Sequence, residues 1–176
     1  MSETLTRIRA ILSTSPQRWA ELAAAVPEEL LRRRPAPEEW SALECLAHIL
    51  DTEQVFPRRV VALRQGQDVP AFDPQRDGSQ ATDDTAPTLL AATFVRLRAE
   101  NLALLEGIEE AEFEQGGRHS ELGPVTLGQL LHEWAAHDLD HTIQAERALM
   151  QPFIAGCGPW QPYFAANRIG PGEADG

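Results

Sequence analysis

The sequence predicts an all-α protein, a four-helix bundle with a long crossover between its second and third helices. Apolar residues recur mostly at helical spacing, and the few Val-rich or aromatic runs never alternate with period two over a useful length. Two capping boxes, Ser41 with Glu44 and Thr126 with Gln129, open long periodic segments. A stretch rich in Asp, Gln, Gly and Pro separates the second periodic segment from the third and is long for a simple loop, so it crosses the bundle or covers a site.

The first helix is expected from about Glu3 to Val26, bent near Ser15-Pro16, where Ser is a good N-cap and Pro fits the first turn of a new helix. A short helical turn, Pro27 to Arg33, is closed by Pro35-Ala36-Pro37. The second long helix runs from Ser41 to about Gln65 and ends at Gly66. The crossover then continues to Asp84. The third helix spans roughly Thr85 to Ile108, and Glu112 to Pro124 reads as irregular. The fourth helix starts after Thr126 and reaches about Met150 before Gln151-Pro152 stops it. The tail from Phe153 to Ile169 holds Trp160, Tyr163 and Phe164 and is expected to pack on the bundle or on a second subunit, making a homodimer possible. The reading is one domain over residues 1–169, with 170–176 a disordered tail.

A chain of 176 residues fits one domain, and at this size folding removes about 70% of the unfolded chain's accessible surface from water. The core therefore needs no structural metal, so a metal would be functional. The charge is −12, and all 15 basic residues are Arg, which excludes Schiff-base and P-loop lysines. So negative a field repels phosphate backbones and anionic bilayers, and Arg32-Arg33-Arg34 is too short to reverse it. The expected partner is a small-molecule substrate rather than nucleic acid or membrane. Cys45 and Cys157 form no CxxC, no basic and apolar leader opens the chain, and no apolar run approaches membrane length, so a cytoplasmic location is expected.

His137 and His141 stand one turn apart on the fourth helix, on a stripe shared with Leu130, Trp134, Gln144 and Ala145. An i, i+4 pair of imidazoles facing the interior can bridge a metal, or can be two hydrogen-bonded core histidines. Two ligands make no site, and His48 on the second helix is the candidate third. Ser41, Glu44, Asp51 and Thr52 share its arc, which is either a solvated face or the wall of a polar funnel in which Glu44 or Asp51 orients a ligand ring. Glu133, one turn before His137, could accept a proton, or be a surface acid. His132 should face away, and His119, in the irregular stretch, could edge the pocket, though a loop histidine usually does nothing chemical. Cys45 reads as a small buried hydrophobe, and of the four tryptophans Trp134 lies on the histidine stripe.

Glu38-Glu39-Trp40-Ser41, continuing through Glu44, His48, Asp51 and Glu53, resembles the start of the second helix in the DinB-like (YfiT-like) superfamily. So does Leu122-Gly123-Pro124-Val125-Thr126-Leu127-Gly128-Gln129-Leu130-Leu131 followed by His137, His141 and Gln144, and the match extends to a Gly158-Pro159-Trp160 tail. The resemblance implies an up-down-down-up four-helix bundle holding a divalent metal, usually nickel or zinc, with His48, His137 and His141 as its ligands. It also implies chemistry with low-molecular-weight thiols, since characterised relatives include thiol S-transferases, a thiol-dependent isomerase and some hydrolases. The expected function is thus a metal-dependent enzyme activating a thiol or water, with Glu133, Glu44 and Asp51 handling protons or fixing imidazole tautomers. A non-catalytic metal-binding or dimerising bundle is the alternative.

Overall fold

A computed structural model describes residues 2–78 and 85–170. Residues 171–176 of the expected tail and 79–84 of the expected crossover lie outside the described residues. Six α-helices and one hairpin follow in order: α1 (Glu3–Ala25), α2 (Glu28–Arg32), α3 (Ala42–Arg64), α4 (Pro74–Asp77), α5 (Pro87–Leu104), β1 (Gly116–His119), β2 (Gly123–Thr126) and α6 (Leu127–Gly156). A 3-10 stretch, Gly158–Asn167, follows α6. The four long helices are α1, α3, α5 and α6. Both α1 and α3 pack against α5 and α6, so the ring order is α1, α5, α3, α6, with α1 diagonal to α3 and α5 diagonal to α6, while α3 and α5 are side by side.

Both capping boxes form, with the Ser41 hydroxyl accepting from the Glu44 amide and Thr126 from Gln129. Pro16 does not break the first helix, which is continuous through it, and Ser15 caps nothing. Its hydroxyl instead donates to the buried Asp138 carboxylate. A proline lacks the N–H that would bond the carbonyl four residues earlier, and that carbonyl, Leu12, accepts from Arg98 Nη1 at 2.8 Å. The same substitution occurs in α3: Pro57 leaves the Glu53 carbonyl, and Asn101 Nδ2 donates to it at 2.8 Å.

Arg98 and Asn101 belong to a polar layer that divides the core. Apolar clusters built on Leu12, Phe56, Leu131 and Trp134 lie to one side, and on Trp19, Leu46, Ile49 and Phe94 to the other. Between them, all of Arg98's donor nitrogens are engaged: Nε and Nη2 on Glu53 at 2.9 and 2.5 Å, Nη1 and Nη2 on Asp138 at 2.7 and 2.8 Å. Asn101 Nδ2 and Trp134 Nε1 supply further donors to the Glu53 carboxylate, at 2.9 and 3.2 Å. One guanidinium therefore ties all four long helices together, and burial there is nearly complete, with Glu53, Arg98 and Asp138 no more than 1% exposed.

Two other expectations are corrected. The irregular stretch before the fourth helix contains the β1–β2 hairpin, with Gly116 opposite Thr126 and His119 opposite Gly123. Its glycines permit close approach, since a Cβ on Gly117 would stand 2.0 Å from the Gln67 carbonyl oxygen. The fourth helix passes Gln151-Pro152 and ends at Gly156. Loss of one helical hydrogen bond at Pro152 is tolerated where the 3-10 stretch packs back on α6 and Gln151 Nε2 donates to the Asn167 carbonyl at 2.9 Å. The tail backbone docks in this way while Trp160 and Tyr163 point outward, 61% and 82% exposed. No helix among the described residues is long and apolar enough to cross a membrane.

Candidate metal centre

His48 on α3 faces His137 and His141 on α6, and one ligand nitrogen from each of the three lies within 4.8 Å of the others. The Nε2 atoms of His48 and His137 are 3.0 Å apart. Two nitrogens each about 2.1 Å from one ion and subtending about 90–109° would be separated by roughly 3.0–3.4 Å, so the pair has ligand spacing. His141 Nδ1 pairs with Gln144 Oε1 at 2.9 Å, which places the proton on Nδ1 and leaves Nε2 a lone pair. Burial, with His141 nearby, pushes His48 down to about 4. Burial also lowers His137 to about 3, with His141, His48 and Arg98 adding to the effect. Both rings are therefore neutral at pH 7, the form that ligates. These are the donors a divalent ion requires, and nitrogen ligands of this kind suit zinc, nickel, copper or iron.

The rings are fixed largely by packing. Trp40 stacks on His141 at 5.7 Å between centroids, and Phe56 meets His137 edge-on at 5.6 Å. Phe56 in turn lies flat on Trp134 at 4.8 Å. Trp134 thus supports the site from the core, and Trp40 is the indole that touches it. The Nδ1 atoms of His48 and His137 are buried without a hydrogen-bond partner among the described residues, so no carboxylate orients either ring there. Around the three histidines opens a cleft of ≈ 390 Å³, walled by Thr52, Arg59, Phe72, His119 and Glu133.

The structure separates the expected proton-handling residues. Glu133 lines the cleft, where burial raises its carboxyl and the Arg59 guanidinium pulls it partly back. Glu44 does not reach the cleft: its carboxylate accepts from Arg34 Nε at 3.0 Å and from the Ser41 amide at 2.8 Å. Asp51 is buried on the wall of a neighbouring cavity of ≈ 510 Å³, beneath the segment from Asp68 to Asp77. The polar arc on α3 therefore splits, with His48 and Thr52 facing the cleft and Glu44 and Asp51 turned from it. His132 is exposed and bonds the Gly128 carbonyl. Cys45 is fully buried, its thiol pushed up to about 12 by burial and by Glu44.

Two cleft residues were undervalued by the sequence reading. Arg59 lies three turns after His48 on the same face of α3, a spacing that was available. His119, only 8% exposed, is carried into the cleft by the hairpin, for which no period-two signal existed.

Residues 11–145 match the DinB superfamily. No curated protein matches the chain in sequence. Among solved structures, YfiT from Bacillus subtilis, described as a probable metal-dependent hydrolase with an unusual four-helix bundle topology, is similar with a TM-score of 0.72 and 17% identity. That match covers 84% of this chain and 87% of that one. The DinB-like protein YjoA from Bacillus subtilis is similar with a TM-score of 0.55 and 21% identity, over 81% of this chain and 90% of that one. At such identities the likeness establishes the bundle fold, while the match over residues 11–145 establishes the family. The chain belongs to the DinB superfamily.

Proposed function

We propose that this protein is a metal-dependent enzyme that activates a low-molecular-weight thiol on a nickel or zinc ion held by His48, His137 and His141, and transfers the sulfur to a small electrophile. The observation that carries the reading is the convergence of three imidazoles, drawn from both halves of the chain, at the floor of an open cleft. A divalent ion bound by neutral imidazoles keeps its full charge and supplies Lewis acidity, bringing a bound thiol or water toward deprotonation at neutral pH. The chain's own residues would do the rest. Phe72 and Trp40 give the cosubstrate an apolar wall, Gln144 holds the His141 tautomer, and Glu133 receives the thiol proton. The sulfur forms its bond to the electrophilic carbon as the leaving group departs with the bonding pair.

Hydrolysis is the second reading. It is favoured by Glu133, whose raised carboxyl suits a general base for water, and by the description of YfiT as a probable metal-dependent hydrolase.

The test loads purified protein with zinc or nickel and supplies a thiol with a chlorinated aromatic or an epoxide. Thiol consumption lost in His141→Ala supports transfer. Cleavage of an activated ester without thiol, equally lost in His141→Ala, supports hydrolysis. No turnover of either kind, alongside a tight dimer, favours a binding module.

A further inference from the structure

The cleft contains two hydrogen-bond donors aimed at each other. His119 Nδ1 accepts from the amides of Glu121 and Leu122, at 3.2 and 3.3 Å. A ring nitrogen accepting two N–H groups carries no proton, so in the neutral ring the proton sits on Nε2. Arg59 Nη2 lies 3.5 Å from that Nε2. A guanidinium has donors only, so the contact joins two N–H groups and is no hydrogen bond. Two donors held this close can be bridged by one acceptor that approaches both from the cleft.

No such acceptor is present among the described residues. Arg59 Nη2 also donates to the Pro70 carbonyl at 2.8 Å, which fixes the guanidinium, but Arg59 Nε is buried without a partner. In a chain with 27 acidic residues, no described carboxylate reaches ion-pair distance of Arg59, although among the described residues eight other arginines make such pairs. His119 itself is more than nine-tenths buried. Burial of Arg59 disfavours its charge and the Glu133 carboxylate only partly offsets this, so a bound anion would relieve the remainder.

We infer that Arg59 and His119 form an anion subsite that binds a carboxylate of the substrate or thiol cosubstrate within the histidine cleft. The inference rests on the proposed function for the identity of the neighbouring centre, and on this pair alone for the charge of the ligand. One fixed cation and a convergent second donor match the two oxygens of a planar monoanion. Glu121 and Glu133 on the same cleft disfavour a phosphoryl dianion.

The discriminating experiment compares 3-mercaptopropionate with 3-mercapto-1-propanol, which share thiol and chain length but differ in charge. Binding is read from the thiolate-to-metal absorption of the cobalt-substituted protein. A net charge of −12 should disfavour the anionic thiol. At least tenfold tighter binding of 3-mercaptopropionate, reduced to parity in Arg59→Gln with affinity for the alcohol retained, is the expected result. Equal binding in the wild type overturns the subsite, as does a preference that survives Arg59→Gln, which would mean chelation by the metal. If neither thiol perturbs the cobalt spectrum, the metal-thiol reading fails, and the subsite is judged on metal-free protein. There 3-mercaptopropionate must raise Tm relative to the alcohol, and an absent rise overturns it. Should Arg59→Gln not fold, His119→Gln takes its place and must narrow the preference.

Discussion

Replacing Arg98 with Met is the most severe single test of the architecture. The substitution leaves two carboxylates, Glu53 and Asp138, facing each other at the centre of the bundle without their counter-ion, and strips the Leu12 carbonyl of its donor. Removing one partner of a buried charge network costs about 3–5 kcal/mol, and an orphaned buried carbonyl adds about 1–3 kcal/mol. Against a typical domain stability of about 5–15 kcal/mol, the variant should be barely folded or unfolded. Urea unfolding followed by far-ultraviolet circular dichroism measures this. With an m value of about 2 kcal/mol per molar, a 4 kcal/mol loss moves the midpoint down by about 2 M. Adding Glu53→Leu and Asp138→Leu to Arg98→Met removes the stranded charges and should recover part of the loss, because apolar replacement of buried charges is often neutral, while the Leu12 carbonyl, the Ser15 hydroxyl and Trp134 Nε1 stay without partners. A loss below about 1 kcal/mol in the single variant, with m unchanged, would refute the claim that the layer's charges are dry and mutually dependent.

Three further outcomes are expected. His48→Ala, His137→Ala and His141→Ala should each bind less than about a tenth of an equivalent of zinc or nickel by elemental analysis while remaining folded, whereas His132→Ala should load normally. Burial opposes ionisation of Glu44, but the Arg34 and Ser41 hydrogen bonds prevail and hold its carboxyl below the ordinary value, so its stabilisation is present above the unfolded pKa and lost as pH falls through the folded one. Thermal melts should show Glu44→Gln less stable by about 0.5–1 kcal/mol at pH 7, with the gap closing below about pH 4. Gly117→Ala should lower stability by more than about 1 kcal/mol and loosen His119, seen as faster amide exchange across the hairpin, because its methyl group would collide with the Gln67 carbonyl.

Helices with local start signals were legible: Ser41 with Glu44 and Thr126 with Gln129 placed the starts of α3 and α6 to within a residue. Pro16 misled because Ser15-Pro16 has every local mark of a helix start, and the donor that satisfies the freed Leu12 carbonyl lies 86 positions after Leu12. The polar layer had a signal that went unread. Ala91, Phe94, Arg98, Asn101 and Leu105 follow core spacing, and two polar residues on such a stripe imply partners inside. The histidine trio was readable from spacing and resemblance together, yet the phase on α6 was slightly off. Trp134, Asp138 and Ala145 form the buried centre of the stripe, and the half-buried His137 and His141 flank it. That offset leaves the rings open to a cleft. Glu44 and Asp51 shared an arc with His48, but a wheel cannot show that Arg34 claims one or that the other lies under the segment after Asp68.

The prolines in α1 and α3 give the bundle a molecular key. Each exposes one backbone oxygen at a fixed height, and α5 carries matching teeth, Arg98 and Asn101, one turn apart. If α5 slid by a turn, both teeth would miss together and two carboxylates would be abandoned with them, so neighbouring registers are closed to the chain. His48 and His137 lie five residues and one residue from the locked Glu53 and Asp138. Their spacing is thus inherited from the lock, and the cleft walls could be rebuilt for other ligands without retuning the helices beneath.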